Sequence, residues 1–146
     1  MCNFVYKFIE NEKELKDAFK VRRQVFVIEQ KIAEELVFEK VEDIDEIDIV
    51  VKNEEEVIGT ARVVFPDDNI AKIERMAVLK SFRGKGVGKG IISFLNEELK
   101  RMKITHIILH AQYQVIDFYK TCGFHESGLP FDEAGIRHVK MEMQHY

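Results

Sequence analysis

At 146 residues the chain is long enough to bury a real core and reads as one domain over 1–146. Its 46% hydrophobic and 33% charged content is that of a globular protein, and a net charge of −4 gives no bulk attraction to nucleic acid or an anionic membrane. Apolar runs of a few residues exclude a spanning helix, no secretion signal is visible, and Cys2 and Cys122 lack metal-ligand spacing, so a cytoplasmic protein with reduced thiols and no metal is expected.

Asn3 to Ile9 alternates as a first strand. Asn11 followed by Glu14 is a helix cap with its reciprocal carboxylate, and Leu15, Ala18, Phe19, Val25 and Phe26 carry a helix to about Gln30. Residues 31–48 are acidic and irregular, with Glu34, Glu35, Glu39, Glu42, Asp43, Asp45, Glu46 and Asp48. A short helix or loop fits this stretch. Its charge reads as a solvated surface, or alternatively as a rim that attracts a cationic amine. Ile47–Lys52 and Glu56–Phe65 read as two strands of an antiparallel hairpin about Asn53-Glu54-Glu55. Pro66-Asp67-Asp68-Asn69 reads as the next turn.

Ile70–Val78 is the central strand. Alternation puts Ile73, Arg75 and Ala77 on one face and Glu74, Met76 and Val78 on the other, so neither face is cleanly apolar. A bulge near Glu74–Met76 would resolve this, and an edge strand with one charged face is the alternative. The loop Ser81-Phe82-Arg83-Gly84-Lys85-Gly86-Val87-Gly88 follows, then an amphipathic helix through Val87, Ile91, Phe94, Leu95, Leu99 and Met102. Glycines between a strand and a helix start admit a ligand close to the backbone, and the free N–H groups there favour an anion. Arg83, Lys85 and Lys89 add positive charge, so the loop reads as a phosphate or pyrophosphate site, with a basic, Gly-rich surface turn as the alternative. The mononucleotide P-loop is excluded, because Arg83 stands where its first Gly belongs and Gly90 where its hydroxyl belongs. Gly-x-Gly-x-x-Gly fails in every frame, its third position falling on Lys89, Ile91 or Ser93. Arg-x-x-Gly-x-Gly does fit, as Arg83, Gly86 and Gly88.

Thr105–Ala111 reads as a buried strand, Gln114–Thr121 as a short helix and Gly123 as its left-handed stop. Phe124–Glu126 begins a strand, Ser127–Glu133 reads as a loop, and Ile136–Met143 as the last strand. Parallel pairing enters only through the last helices. The expected architecture is a mixed α/β sheet with helices on both faces.

The Arg83–Gly88 pattern resembles the acetyl-CoA pyrophosphate loop of the GNAT N-acetyltransferase superfamily. Phe118-Tyr119-Lys120-Thr121-Cys122-Gly123-Phe124, about thirty residues later and past one further strand, resembles that family's second signature. A narrower likeness is to the small bacterial ElaA-like branch. It rests on Val25-Phe26-Val27-Ile28-Glu29-Gln30, on His110-Ala111-Gln112 and on Gly135-Ile136-Arg137-His138-Val139-Lys140-Met141. The resemblance implies a mostly antiparallel α+β sheet of six to seven strands, and acetyl transfer from acetyl-CoA to a primary amine on a small molecule or peptide.

It also implies roles. The backbone of Met76, Ala77 and Val78 pairs with the pantetheine arm, and the N–H of Val78 is the oxyanion donor. The amides of Arg83, Gly84, Lys85, Gly86, Val87, Gly88 and Lys89 hold the pyrophosphate. Tyr119 protonates the CoA sulfur beside Phe118, the alternative being an amphipathic residue that closes the core with Phe118 as its structural partner. Glu74 or Glu29 is the base candidate, the alternative for each being a surface or salt-bridged carboxylate. His110 and His138 read as hydrogen-bonded strand residues, with a pocket role as the alternative. Cys122 reads as a buried small hydrophobe rather than a nucleophile. A non-catalytic acyl-CoA-binding module and a binder of another phosphate ligand are the competing functions. Exposed sheet edges leave room for a homodimer. The acceptor is not named by any of these residues.

Overall fold

The computed structural model describes residues 3–39 and 45–144; Cys2, and Glu42 and Asp43 of the acidic stretch, lie outside the described residues. In chain order the elements are β1 (Phe4–Phe8), α1 (Glu12–Arg22) continued by a π-helical segment (Arg23–Glu29), α2 (Glu34–Val37), β2 (Glu46–Asn53), β3 (Glu56–Asp67), β4 (Ile70–Val78), α3 (Val87–Arg101), β5 (His106–Gln112), α4 (Ile116–Thr121), β6 (His125–Glu133) and β7 (Ile136–Gln144). The strands form one seven-stranded sheet in the order β1-β2-β3-β4-β5-β7-β6. Among the described residues only β4 and β5 pair in parallel, joined by the crossover helix α3. On one face α3 and α4 bury Val87, Ile91, Leu95, Leu99 and Ile116 against Ile49, Ile58, Ile73 and Ile107. On the other, α1, the π-helical segment and α2 bury Ala18, Val21, Val25, Phe26 and Val37 against Val50, Val57 and Ala77. No helix among the described residues is long and apolar enough to cross a membrane.

The expected cap forms. Asn11 Oδ1 accepts the Glu14 N–H at 2.8 Å, and the Glu14 carboxylate reaches back to the N–H of Glu10 at 2.8 Å. The same carboxylate lies 2.9 Å from Lys52 Nζ and 2.6 Å from Lys7 Nζ, with Glu14 only 2% exposed. Hydrogen bonds from Lys52 and then Lys7 pull its pKa down from 4.5 to about 2. One cap residue thus ties α1 to β1 and β2.

One sequence reading is refined and two are corrected. The first helix does run to about Gln30, but its last turns widen to a π pattern in which the Gln30 N–H bonds to the Val25 carbonyl at 3.2 Å. Valine and isoleucine crowd this stretch, and the wider turn buries Val25 and Phe26 while Ile28 stays exposed. Pro66 and Asp67 belong to β3 rather than to a turn; the register slips between Val64 and Asp67, where a missing proline N–H is tolerated. Ser127–Glu133 is strand, not loop. Its loop-like Gly128 and Pro130 occupy a register shift between Ser127 and Phe131 in an edge strand.

The bulge in β4 is present. Thr60 pairs with Ala77 but Arg62 with Glu74, so Arg75 and Met76 face Ala61 alone, and Arg75 takes a positive φ of 52°. The extra residue flips the strand's faces. Ile73 stays in the α3-side core while Ala77 enters the α1-side core.

Candidate active site

The β4–β5 ladder ends at Ile73 and Leu109, although both strands continue. On its other edge β4 stays paired to β3, and the Leu79 N–H donates to the Ile58 carbonyl at 2.9 Å. Alternation then turns the N–H groups of Met76 and Val78 away from β3 and into the gap. The gap opens into a cleft of about 890 Å³ lined by both strands, α4 and the glycine turn.

The turn divides its glycines between two tasks. Gly84 and Gly86 have positive φ, 76° and 84°, and a Cβ on either would meet nothing within 4 Å. Gly86 stands in the left-handed conformation immediately before α3, with no side chain capping the helix. The first amides of α3, from Val87 to Lys89, therefore have no intrahelical acceptor. Gly88 and Gly90 serve packing: a Cβ would meet the Phe118 ring at 3.0 Å in the first case and the Tyr6 hydroxyl at 2.0 Å in the second.

Arg83 is a strap. Its Nε donates to the Val78 carbonyl at 2.9 Å, and Nη1 and Nη2 each reach the Glu29 carboxylate at 2.9 Å. Its charge is thus answered by Glu29, not left to the loop as expected. Lys85 sits 5.8 Å from the centre of the Phe82 ring, and neither Lys85 nor Lys89 forms an ion pair among the described residues.

Of the residues singled out from sequence, Glu74, Met76, Ala77, Val78, Arg83, Gly84, Gly86, Val87, Gly88, Lys89, Phe118 and Tyr119 line this one cleft. Lys85 and Glu29 do not. Glu74 Oε2 lies 3.3 Å from Arg62 Nη2 and 3.6 Å from Arg75 Nη1. Arg75 is fixed in turn by the carbonyls of Val37 and Leu36. Tyr119 is 9% exposed, edge-on to Phe118 and Phe124, and desolvation raises its pKa above the usual 10.0. Burial also raises the Cys122 thiol, in keeping with a packing role.

Among the described residues of the acidic stretch, Glu34, Glu35, Glu39, Asp45 and Glu46 are exposed, as a solvated surface requires, and three carboxylates pair with arginines. Glu34 binds Arg23, Asp48 binds Arg22 at 2.5 Å, and Glu46 lies 3.7 Å from Arg62.

The three short motifs behind the narrower likeness meet at the cleft: Gln30 and Gln112, joined by a 2.8 Å hydrogen bond, and His110 with His138. The sequence reading does not single out Arg62, Arg75 or Glu133, which also line it. The usable signal for Glu133 was the Ala134-Gly135 pair, whose positive φ values of 52° and 75° make a tight hairpin turn.

Residues 3–145 match the family model described as an acetyltransferase (GNAT) domain. The uncharacterized N-acetyltransferase YjcF of Bacillus subtilis is 40% identical over 138 residues, covering 90% of this chain and 94% of that one. A crystallised candidate N-acetyltransferase from Lactobacillus plantarum superposes with a TM-score of 0.88 at 26% identity, over 97% of each chain. Escherichia coli ElaA shares the fold at a TM-score of 0.84 and 23% identity, over 99% of this chain and 100% of that one.

Proposed function

The chain belongs to the GNAT acetyltransferase family, and from that premise we propose that it moves an acetyl group from acetyl-CoA to a primary amine on a small molecule or peptide. The observation that supports this best is the edge of β4 at Met76 and Val78. Its amides face the cleft, and the chain runs from there directly into the glycine turn that opens α3. An extended amide-bearing arm fits such an edge as an added strand. A diphosphate fits the glycine turn and the uncapped amides of Val87, Gly88 and Lys89 that follow it, with Lys85 and Lys89 as counter-charge.

Acetyl-CoA supplies an activated acyl group when bound. The Val78 N–H is the donor for the thioester oxygen as that oxygen gains charge. Tyr119, kept protonated by burial, donates to the departing sulfur. Phe118 and Phe124 hold its ring, and Gly88 lets Phe118 approach α3. Glu74 anchors the two arginines of the cleft wall. Glu29 sits outside the cleft and supports Arg83, and so acts by position rather than as the base.

The test is CoA release over an amine panel, with acetyl-CoA affinity read by calorimetry. Amine-dependent release is expected. Tight acetyl-CoA binding without release for any amine would make the chain a binding module, and no preference for CoA over ADP would remove the coenzyme site.

A further inference from the structure

Beyond Leu109, β5 and β4 no longer pair, and the next step in register sets His110 opposite Glu74 across the gap. Ile107, Leu109 and Ala111 face the α3-side core, so His110 lies on the opposite face of the sheet from Tyr119. A group held in the gap therefore meets Tyr119 from one side and His110 from the other. The His110 ring packs edge-on against Phe131 with centroids 4.9 Å apart, which fixes its plane.

Its Nδ1 lies 3.0 Å from Glu133 Oε1. An ionised carboxylate only accepts, so Nδ1 carries the hydrogen and the neutral ring keeps its lone pair on Nε2. Nε2 has no protein partner among the described residues. Glu133 Oε2 lies 3.8 Å from Nε2 of His138, whose Nδ1 meets the Ile136 carbonyl at 2.7 Å. The other charges facing this cluster are Lys72, Glu74 and Arg75 on β4 and Lys140 on β7. The hydrogen bond from His110 leads the influences that hold the Glu133 carboxyl below its ordinary value.

Resting on the acetyl-transfer reading above, we propose that His110, oriented by Glu133, is the base that deprotonates the acceptor ammonium. His110 Nε2 takes one proton from the ammonium, and Glu133 stabilises the imidazolium. The neutral amine nitrogen forms its bond to the thioester carbonyl carbon as the carbon–sulfur bond breaks. The amine's second proton ends on the CoA sulfur through Tyr119, and His110 returns its own proton to solvent through the open cleft. Glu133 is a positioning residue; His110 is the catalytic one.

The experiment compares wild type, His110→Gln and Glu133→Gln, using the best amine of the panel and a β,β,β-trifluorinated analogue, which is largely deprotonated at neutral pH. With the ordinary amine, His110→Gln is expected to lower kcat about 100-fold and to remove the acid limb of the pH profile, and Glu133→Gln to lower kcat about tenfold. Acetyl-CoA affinity should stay within about twofold by calorimetry. With the fluorinated amine the loss in each variant should shrink to within about threefold, because no base is then needed. Equal losses on both amines, or no loss on either, would overturn the base assignment while leaving transfer intact. If His110→Gln does not fold, Glu133→Gln alone carries the same comparison. Wild-type protein that binds acetyl-CoA but releases CoA to no amine would overturn the transfer reading, and the base with it.

Discussion

Glu14 and Glu133 are both ringed by basic side chains, and the two rings are built differently. Glu14 is 2% exposed and uses both oxygens, on Lys7, Lys52 and the Glu10 N–H. The side chain of Glu133 is 45% exposed and shares its oxygens between His110 and a more distant His138 at the cleft wall. The first ring closes β1, α1 and β2 on one another with every acceptor satisfied. The second leaves an imidazole nitrogen facing a cleft. The same contrast runs along β4, which is paired to β3 on one edge and loses β5 beyond Ile73 on the other. Satisfied polar groups hold a fold; groups held in place but left without a partner are what a substrate can use.

Substitutions should separate the two regions. The largest effect is expected for Tyr119→Phe, which should lower kcat about 100-fold in a CoA-release assay while acetyl-CoA affinity and melting temperature barely move. A large stability loss instead would return Tyr119 to the core. Gly86→Glu comes next. It sets a carboxylate before the uncapped start of α3 and should weaken acetyl-CoA binding by about thirtyfold in calorimetry, or about 2 kcal/mol. It should cost about 1–2 kcal/mol of stability through its left-handed backbone, since a Cβ there meets open space.

Glu14→Gln should do the reverse: about 1.5–3 kcal/mol lost in urea unfolding, with acetyl-CoA affinity unchanged. Because folding depresses the Glu14 carboxyl from 4.5 to about 2, its contribution is fully present above pH 4.5. It is lost as pH falls through that window towards 2, so the wild-type stability slope between these values should flatten in the variant. The smallest effect is expected for Glu29→Gln. The loss of one side of a partly exposed ion pair with Arg83 should change stability by about 0.5 kcal/mol and kcat by no more than about threefold. A hundredfold fall in kcat would make Glu29 the base after all.

Much of the site was legible because it is local. Asn11 and Glu14 sit three residues apart and announce their cap. Arg83, Gly86 and Gly88 announce an uncapped helix start, and Gly123 ends α4 with a φ of 98°. The bulge showed itself as a strand whose alternation gave no apolar face. The π-helical segment did not, since its apolar spacing over Val25 and Phe26 also suits an ordinary helix. Glu133 was hidden because Gly128 and Pro130 make an edge strand look like a loop.

The amino-acid order by itself determined most of the elements, the glycine turn and the family, since each depends on backbone preferences expressed within a few residues. Only the tertiary structure decided which polar side chains meet. Arg83 finds Glu29, Gln112 finds Gln30, and His110 finds Glu133. Those encounters follow from strand order, with β7 set between β5 and β6, and from the flip that one extra residue gives β4. No local spacing encodes either, because strand partners and faces are chosen by the burial of the whole sheet.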